Sequence, residues 1–179
     1  MIVIDLEMSG LDFKKNSILS IGALDFNNSK NTFYGECTLR KGTKIDDKAI
    51  AVCGFTRKQI KENKKSCEKL LKEFLEWTDK ISDKTLAGHN VHFDIAFLQE
   101  NFKIYKLRWD FGHRIVDLHS VFYFNFMKGK VKIPIKYYHS ALNLDFIIDY
   151  FKLKKREGTH NALEDAQLTA QAFSKLLGR

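Results

Sequence analysis

The apolar positions of this chain change period part-way along it. Ile2 to Leu6 is a short run rich in Ile and Val and reads as a strand. Ser9-Gly10-Leu11-Asp12 turns it. Ser17 to Phe26 alternates loosely and reads as a second strand, Asn27-Asn28-Ser29 is turn material, and Thr32 to Leu39 reads as a third. Three strands joined by short turns predict an antiparallel meander. The period then lengthens. Thr56 and Ser66 are expected as helix N-caps, and Leu70, Leu71, Phe74, Leu75 and Trp77 repeat at helical spacing.

Shorter apolar runs follow. Thr85 to His89 is a candidate buried strand, and Ile95, Phe97, Leu98 and Phe102 line a helix behind it. Ile115-Val116-Asp117-Leu118 is another strand running into an aromatic helix. Lys128 to His139 is basic, carries the only Pro and reads as a loop. Leu142 to Phe151 and Ala162 to Leu177 are helical. A meander followed by alternating strands and helices predicts an α/β fold: a mixed sheet, antiparallel in one part and parallel in the other, covered by helices. Without repeats, low-complexity tracts or a linker, residues 1–179 are expected to form one domain.

Charge and cysteine usage narrow the class. Thirty Lys and Arg against 22 Asp and Glu give a net charge of +8. Such a surface favours polyanions, nucleic acid first and anionic membrane second, although a Lys-rich solvated surface explains it as well. Cys37, Cys53 and Cys67 lie far apart with no CxxC pair, which argues against a disulfide framework and a thiolate zinc site. A reduced, cytoplasmic setting is expected. The first apolar run holds Asp5 and Glu7, so it is not a signal peptide. No stretch approaches eighteen apolar residues, so no membrane span is expected.

Three acidic clusters carry the candidate chemistry. In Asp5-Leu6-Glu7 the two carboxylates are i and i+2 of a strand and share a face, close enough to share a cation. A solvated strand end is the plainer explanation. In His89-Asn90-Val91-His92-Phe93-Asp94 the Asp falls in the first turn of a helix, where it could simply complement the helix dipole. His89 and Asn90 could form a hydrogen-bonding pair at the strand end. In His160-Asn161-Ala162-Leu163-Glu164-Asp165-Ala166 the Asp lies among apolar neighbours, where an unpaired carboxylate is expensive and a metal would explain it. An exposed acidic turn is the alternative.

Taken together, the clusters resemble the motifs of the DEDD exonucleases, the superfamily of RNase T and the epsilon proofreading subunit of DNA polymerase III. Asp5-Leu6-Glu7-Met8-Ser9-Gly10-Leu11 is similar to the first motif, DxExTGL, with Ser9 for the commoner Thr. It also resembles that of oligoribonucleases. His89-Asn90-x-x-Phe93-Asp94 resembles the second motif in its epsilon form. His160-x-Ala162-x-x-Asp165-Ala166 resembles the third, of the His-containing DEDDh branch. Gly54-Phe55-Thr56 resembles a further family segment, and the likeness covers nearly the whole chain.

The resemblance implies a ribonuclease H-like, five-stranded mixed sheet and a metal-dependent 3′→5′ exonuclease releasing nucleoside 5′-monophosphates from single-stranded DNA or RNA. It implies two Mg²⁺ or Mn²⁺ ions, in keeping with hard oxygen ligands. Asp5 would bridge both ions, Glu7 and Asp165 would complete one and Asp94 would hold the other, with His160 as general base. The backbone at Met8, Ser9 and Gly10 would meet the terminal 3′-hydroxyl, Leu11 and Phe55 would wedge against the last bases, and Asn90 would also lie on the substrate. The partners implied are a single strand with a free 3′ end and, through the epsilon likeness, a DNA polymerase. Two basic tracks could follow the strand: Lys152, Lys154, Lys155 and Arg156, or Lys128, Lys130, Lys132 and Lys136. A non-catalytic nucleic-acid-binding module on the same fold would be expected to lack a carboxylate or the His, and none is missing here.

Overall fold

A computed structural model describes residues 1–156 and 158–178, leaving Glu157 and Arg179 outside the described residues. The expected meander is present as β1 (Ile2–Met8), β2 (Ile18–Asp25) and β3 (Asn28–Glu36). Two short strands, β4 (Leu86–Gly88) and β5 (Ile115–Asp117), run parallel to β1. They complete a five-stranded sheet in the order β3-β2-β1-β4-β5. The fold is the mixed α/β sheet expected, with β1 at its centre.

Alternation along β1 divides the interior. Ile2, Ile4 and Leu6 face one core with α3 (Cys67–Thr78) and α4 (His92–Ile104). Val3 faces the other, built on α5 (Leu118–Lys128), α6 (Leu144–Tyr150) and α7 (Ala162–Leu176). By the two-residue period of a strand, Asp5 and Glu7 point to the Val3 side. Two single-turn-scale helices, α1 (Asp47–Val52) and α2 (Arg57–Glu62), cover Leu19 of β2 and lift Phe55 beside the open end of the sheet.

Local chemistry accounts for the boundaries. Thr56 forms a reciprocal capping box with Gln59, and Ser66 accepts from the Lys69 N–H. Asn161 caps α7 by accepting from Leu163 and Glu164. Helix α1 is not visible as an apolar period, because only Ile50 of its six residues is buried. The basic stretch 128–139 is not wholly a loop. It contains the strands of a small hairpin, β6 (Ile135–Lys136) and β7 (His139–Ser140). Two-residue strands offer too few alternating positions to register as a pattern. Among the described residues no helix is long and apolar enough to cross a membrane.

Candidate active site

One glycine sets the geometry of the site. In the β1–β2 register Asp5 lies opposite Gly22 and Glu7 opposite Ser20. A Cβ at Gly22 would collide with the backbone of Ala162 and Leu163. Its absence lets the N-terminus of α7 rest directly on the sheet, and Ala162 and Ala166, both fully buried, keep the approach close. Asp165, in the first turn of α7, is thereby set over the carboxylate face of β1 and is only 2% exposed. Asp94 arrives from the other side, in the first turn of α4. It does not cap that helix. Strand β1 outruns β4, and the Leu6 N–H left without a sheet partner donates to Asp94 Oδ1 at 2.8 Å.

The result is a group of carboxylates with too little positive charge. Burial, then the charges of Asp94, Glu7 and Asp165, raise the Asp5 pKa well above the usual range. Burial and Asp165 push Glu7 up to about 7. Burial pushes Asp94 to about 8, against the favourable Leu6 N–H. Among the described residues Glu7 Oε1 is buried without a hydrogen-bond partner. Ligand atoms of Glu7, His160 and Asp165 lie within 4.8 Å of one another, so the three could hold one cation. Buried carboxylate oxygens without a matching donor are the environment in which a hard divalent ion fits.

His160 is held by its backbone N–H, which donates to the Val52 carbonyl at 3.1 Å. Its Nδ1 lies 2.9 Å from Asp165 Oδ2. That hydrogen bond raises the His160 pKa, with burial and Arg156 opposing it. The Asp–His pair orients the ring with a proton on Nδ1 and leaves Nε2 as the acceptor. Nε2 faces the guanidinium of Arg156, with 2.6 Å to Nη1.

Arg156 is the residue that sequence reasoning misplaced. It stands in a basic run read as a track along the substrate, yet its side chain turns inward and is only 9% exposed. Its Nε lies 2.9 Å from Asp165 Oδ1 and its Nη2 2.9 Å from Asp145 Oδ1. These are charge contacts rather than aligned hydrogen bonds. A lone Arg among three lysines gives no signal that it will fold inward. Nor does the sequence single out Asp145, in the first turn of an otherwise ordinary amphipathic segment. Lys155, by contrast, is exposed and pairs with Asp149.

The remaining candidates surround the carboxylates unevenly. A cleft of about 400 Å³ runs past Glu7, Cys53, Phe55, Thr159 and His160. A second of similar size continues from Glu7 past Met8, Gly10 and Leu11. Glu7 therefore lies in a groove with the exposed Leu11 at one end and the half-buried Phe55 at the other. Ser9 is fully buried, and its groups are taken. Its N–H donates to Ser17, its carbonyl accepts from Asp46, and its hydroxyl donates to the Lys44 carbonyl. Of the three backbone positions expected at the substrate, Met8 and Gly10 line the groove. Asn90 adopts a left-handed conformation with φ 55° at the β4–α4 turn. The His89–Asn90 pair does not form: among the described residues neither ring nitrogen of His89 has a hydrogen-bond partner, and burial lowers its pKa to about 4.

Residues 2–173 match the RNase_T exonuclease family model. The chain belongs to the exonuclease family. Among curated relatives it is 28% identical over 176 residues to the DNA polymerase III subunit epsilon of Aquifex aeolicus, covering 98% of this chain and 79% of that one. It is 27% identical over 177 residues to the PolC-type DNA polymerase III of Thermotoga maritima, but spans only 12% of that much longer protein. Solved structures share the fold at lower identity. The nuclease domain of 3′hExo, a DEDDh family member bound to rAMP, superposes with a TM-score of 0.73 at 17% identity over 99% of this chain and 90% of that one. Exonuclease I from Methylocaldum szegediense superposes with a TM-score of 0.79 at 15% identity over 99% and 40%.

Proposed function

We propose that this exonuclease is metal-dependent and acts from the 3′ end of single-stranded nucleic acid, releasing nucleoside 5′-monophosphates. The observation that carries the reading is the convergence of Asp5, Glu7, Asp94 and Asp165 on one another, with Glu7 opening on the groove and His160 2.9 Å from Asp165. The four carboxylates are the residues that would hold two Mg²⁺ or Mn²⁺ ions. Such a pair supplies a lowered pKa for the attacking water and charge stabilisation for the leaving 3′-oxygen.

The protein's own part is to position and to move a proton. Asp165 would fix the imidazole of His160 through Nδ1, and Nε2 would take the proton of the water that attacks phosphorus as the P–O3′ bond breaks. The Asp165 hydrogen bond raises the His160 pKa, which strengthens Nε2 as a base. Leu11 and Phe55, at opposite ends of the groove, would separate and hold the terminal bases, since apolar and aromatic faces pack on any base. The backbone of Met8 and Gly10 would meet the terminal 3′-hydroxyl. The similarity to epsilon subunits and PolC-type polymerases supports a place in DNA proofreading beside a polymerase.

The polarity is tested with a single strand labelled at either end. With Mg²⁺ or Mn²⁺, a 5′ label is expected to pass through a ladder of shortening strands, and a 3′ label to appear at once as mononucleotide. The reverse pattern, or shortening that survives EDTA, would overturn the reading.

A further inference from the structure

The hairpin between α5 and α6 has a tip that its fold does not explain. Tyr137 and Tyr138 form the two-residue turn between β6 and β7, with φ 49° and 67°. Left-handed φ at both positions is the geometry of a type I′ turn, which favours Asn and Gly. Bulky side chains are disfavoured there, because their Cβ crowds the following carbonyl oxygen. The two rings return nothing to the core, since Tyr137 is 76% and Tyr138 fully exposed. Strained backbone under exposed aromatics is a reason to look for function.

The charge around the tip indicates a partner. From Leu118 to Leu144 the chain has no Asp or Glu and carries Lys128, Lys130, Lys132 and Lys136. Among the described residues none of these lysines pairs with a carboxylate. Lys136 stands 5.4 Å over the Tyr137 ring. Adjacent aromatic faces flanked by unpaired lysines match a single strand, whose bases stack on rings while its phosphates meet ammonium groups.

The position is also right. The hairpin is closed at its base by the Ala141 N–H donating to Pro134, then runs through the buried Leu142 into α6. Asp145 of α6 touches Arg156, which touches Asp165 and His160. Tyr138 and Asp145 are seven positions apart in the chain, a span of at most about 25 Å. We infer that the 134–141 hairpin is a second strand-binding element, on which bases upstream of the reacting 3′ end stack on Tyr137 and Tyr138 while Lys132 and Lys136 take their phosphates. This rests on the proposed action on single strands.

The test uses Tyr137→Asn/Tyr138→Gly, which removes both rings and installs residues that the turn prefers. The hairpin should survive, with a melting temperature equal to or above wild type. Binding is read by anisotropy with a fluorescein-labelled single strand of about twenty nucleotides whose 3′ linkages are phosphorothioates. Loss of two stacking rings is expected to weaken binding by about 10-fold or more. Lys132→Ala/Lys136→Ala should reduce the slope of log K against log[salt] by about 0.7 for each phosphate no longer neutralised. Hydrolysis of the p-nitrophenyl ester of thymidine 5′-monophosphate, which has no upstream strand, should be unchanged in both variants. Wild-type strand affinity in the Asn/Gly variant would overturn the inference and leave the hairpin as a surface for a protein. If wild type hydrolyses neither the ester nor any strand, the proposed activity fails, while the binding comparison still decides the hairpin.

Discussion

Asp165 has a neighbour on each oxygen before any metal is considered, the Arg156 guanidinium on Oδ1 and the His160 imidazole on Oδ2. The Arg156 guanidinium therefore competes for a carboxylate that the proposed chemistry needs, and it faces the His160 nitrogen that should receive a proton. Removing it is expected to act in opposite directions on two observables. Arg156→Gln should lower the melting temperature in EDTA, because breaking one partner of a buried pair costs about 3–5 kcal/mol. The same change should tighten Mn²⁺ binding about tenfold in calorimetry, equivalent to about 1.4 kcal/mol. Weaker Mn²⁺ binding would instead mean that Arg156 holds Asp165 in place for the ion.

At the scale of elements, the site depends on how closely α7 lies on β1 and β2. Gly22→Ala places a methyl group against the Ala162 and Leu163 backbone, which can relieve it only by moving the helix. The expected loss is on the order of 1–3 kcal/mol in denaturant unfolding. Mn²⁺ affinity should fall as well, because Asp165 would move away from Glu7. A variant with wild-type stability would show that the approach is looser than it looks. The elements themselves were legible wherever the period was long. The meander, the Ser66-capped helix and the C-terminal helix were evident from alternation, helical spacing and caps. The carboxylate face was legible too, because i and i+2 must share a side of a strand. Contacts that depend on tertiary approach were not. Nothing local announces that Arg156 folds inward, that Asp94 accepts from Leu6, or that the Ser9 backbone is already engaged. Helix α1 and the β6–β7 hairpin escaped for a simpler reason, being too short to repeat.

Across the whole molecule, the carboxylate cluster couples stability to pH and to metal. With Glu7 near 7 and Asp94 near 8, the folded chain keeps protons that an unfolded chain releases at about pH 4. Metal-free stability should therefore fall as pH rises through this range. His89, held near 4 by burial, acts in the opposite sense up to its unfolded value near 6.5. The window free of that opposition runs from about pH 6.5 to 8. Within it, the melting temperature in EDTA is expected to decline, and the increment from Mg²⁺ or Mn²⁺ to grow, since an ion bound only by the folded state stabilises it by mass action. A metal increment independent of pH across that window would mean that these carboxylates do not bind the ion.

The four converging carboxylates are proposed to hold the metal that drives release of the terminal nucleotide. The most direct test follows mononucleotide release from a 3′-labelled single strand by wild type and Asp165→Ala, each with Mn²⁺ and with EDTA, after confirming that the variant melts cooperatively. Wild type should release nucleoside 5′-monophosphate only with metal, and folded Asp165→Ala should release none above background. Release at the wild-type rate by Asp165→Ala, or release by wild type in EDTA, would contradict it.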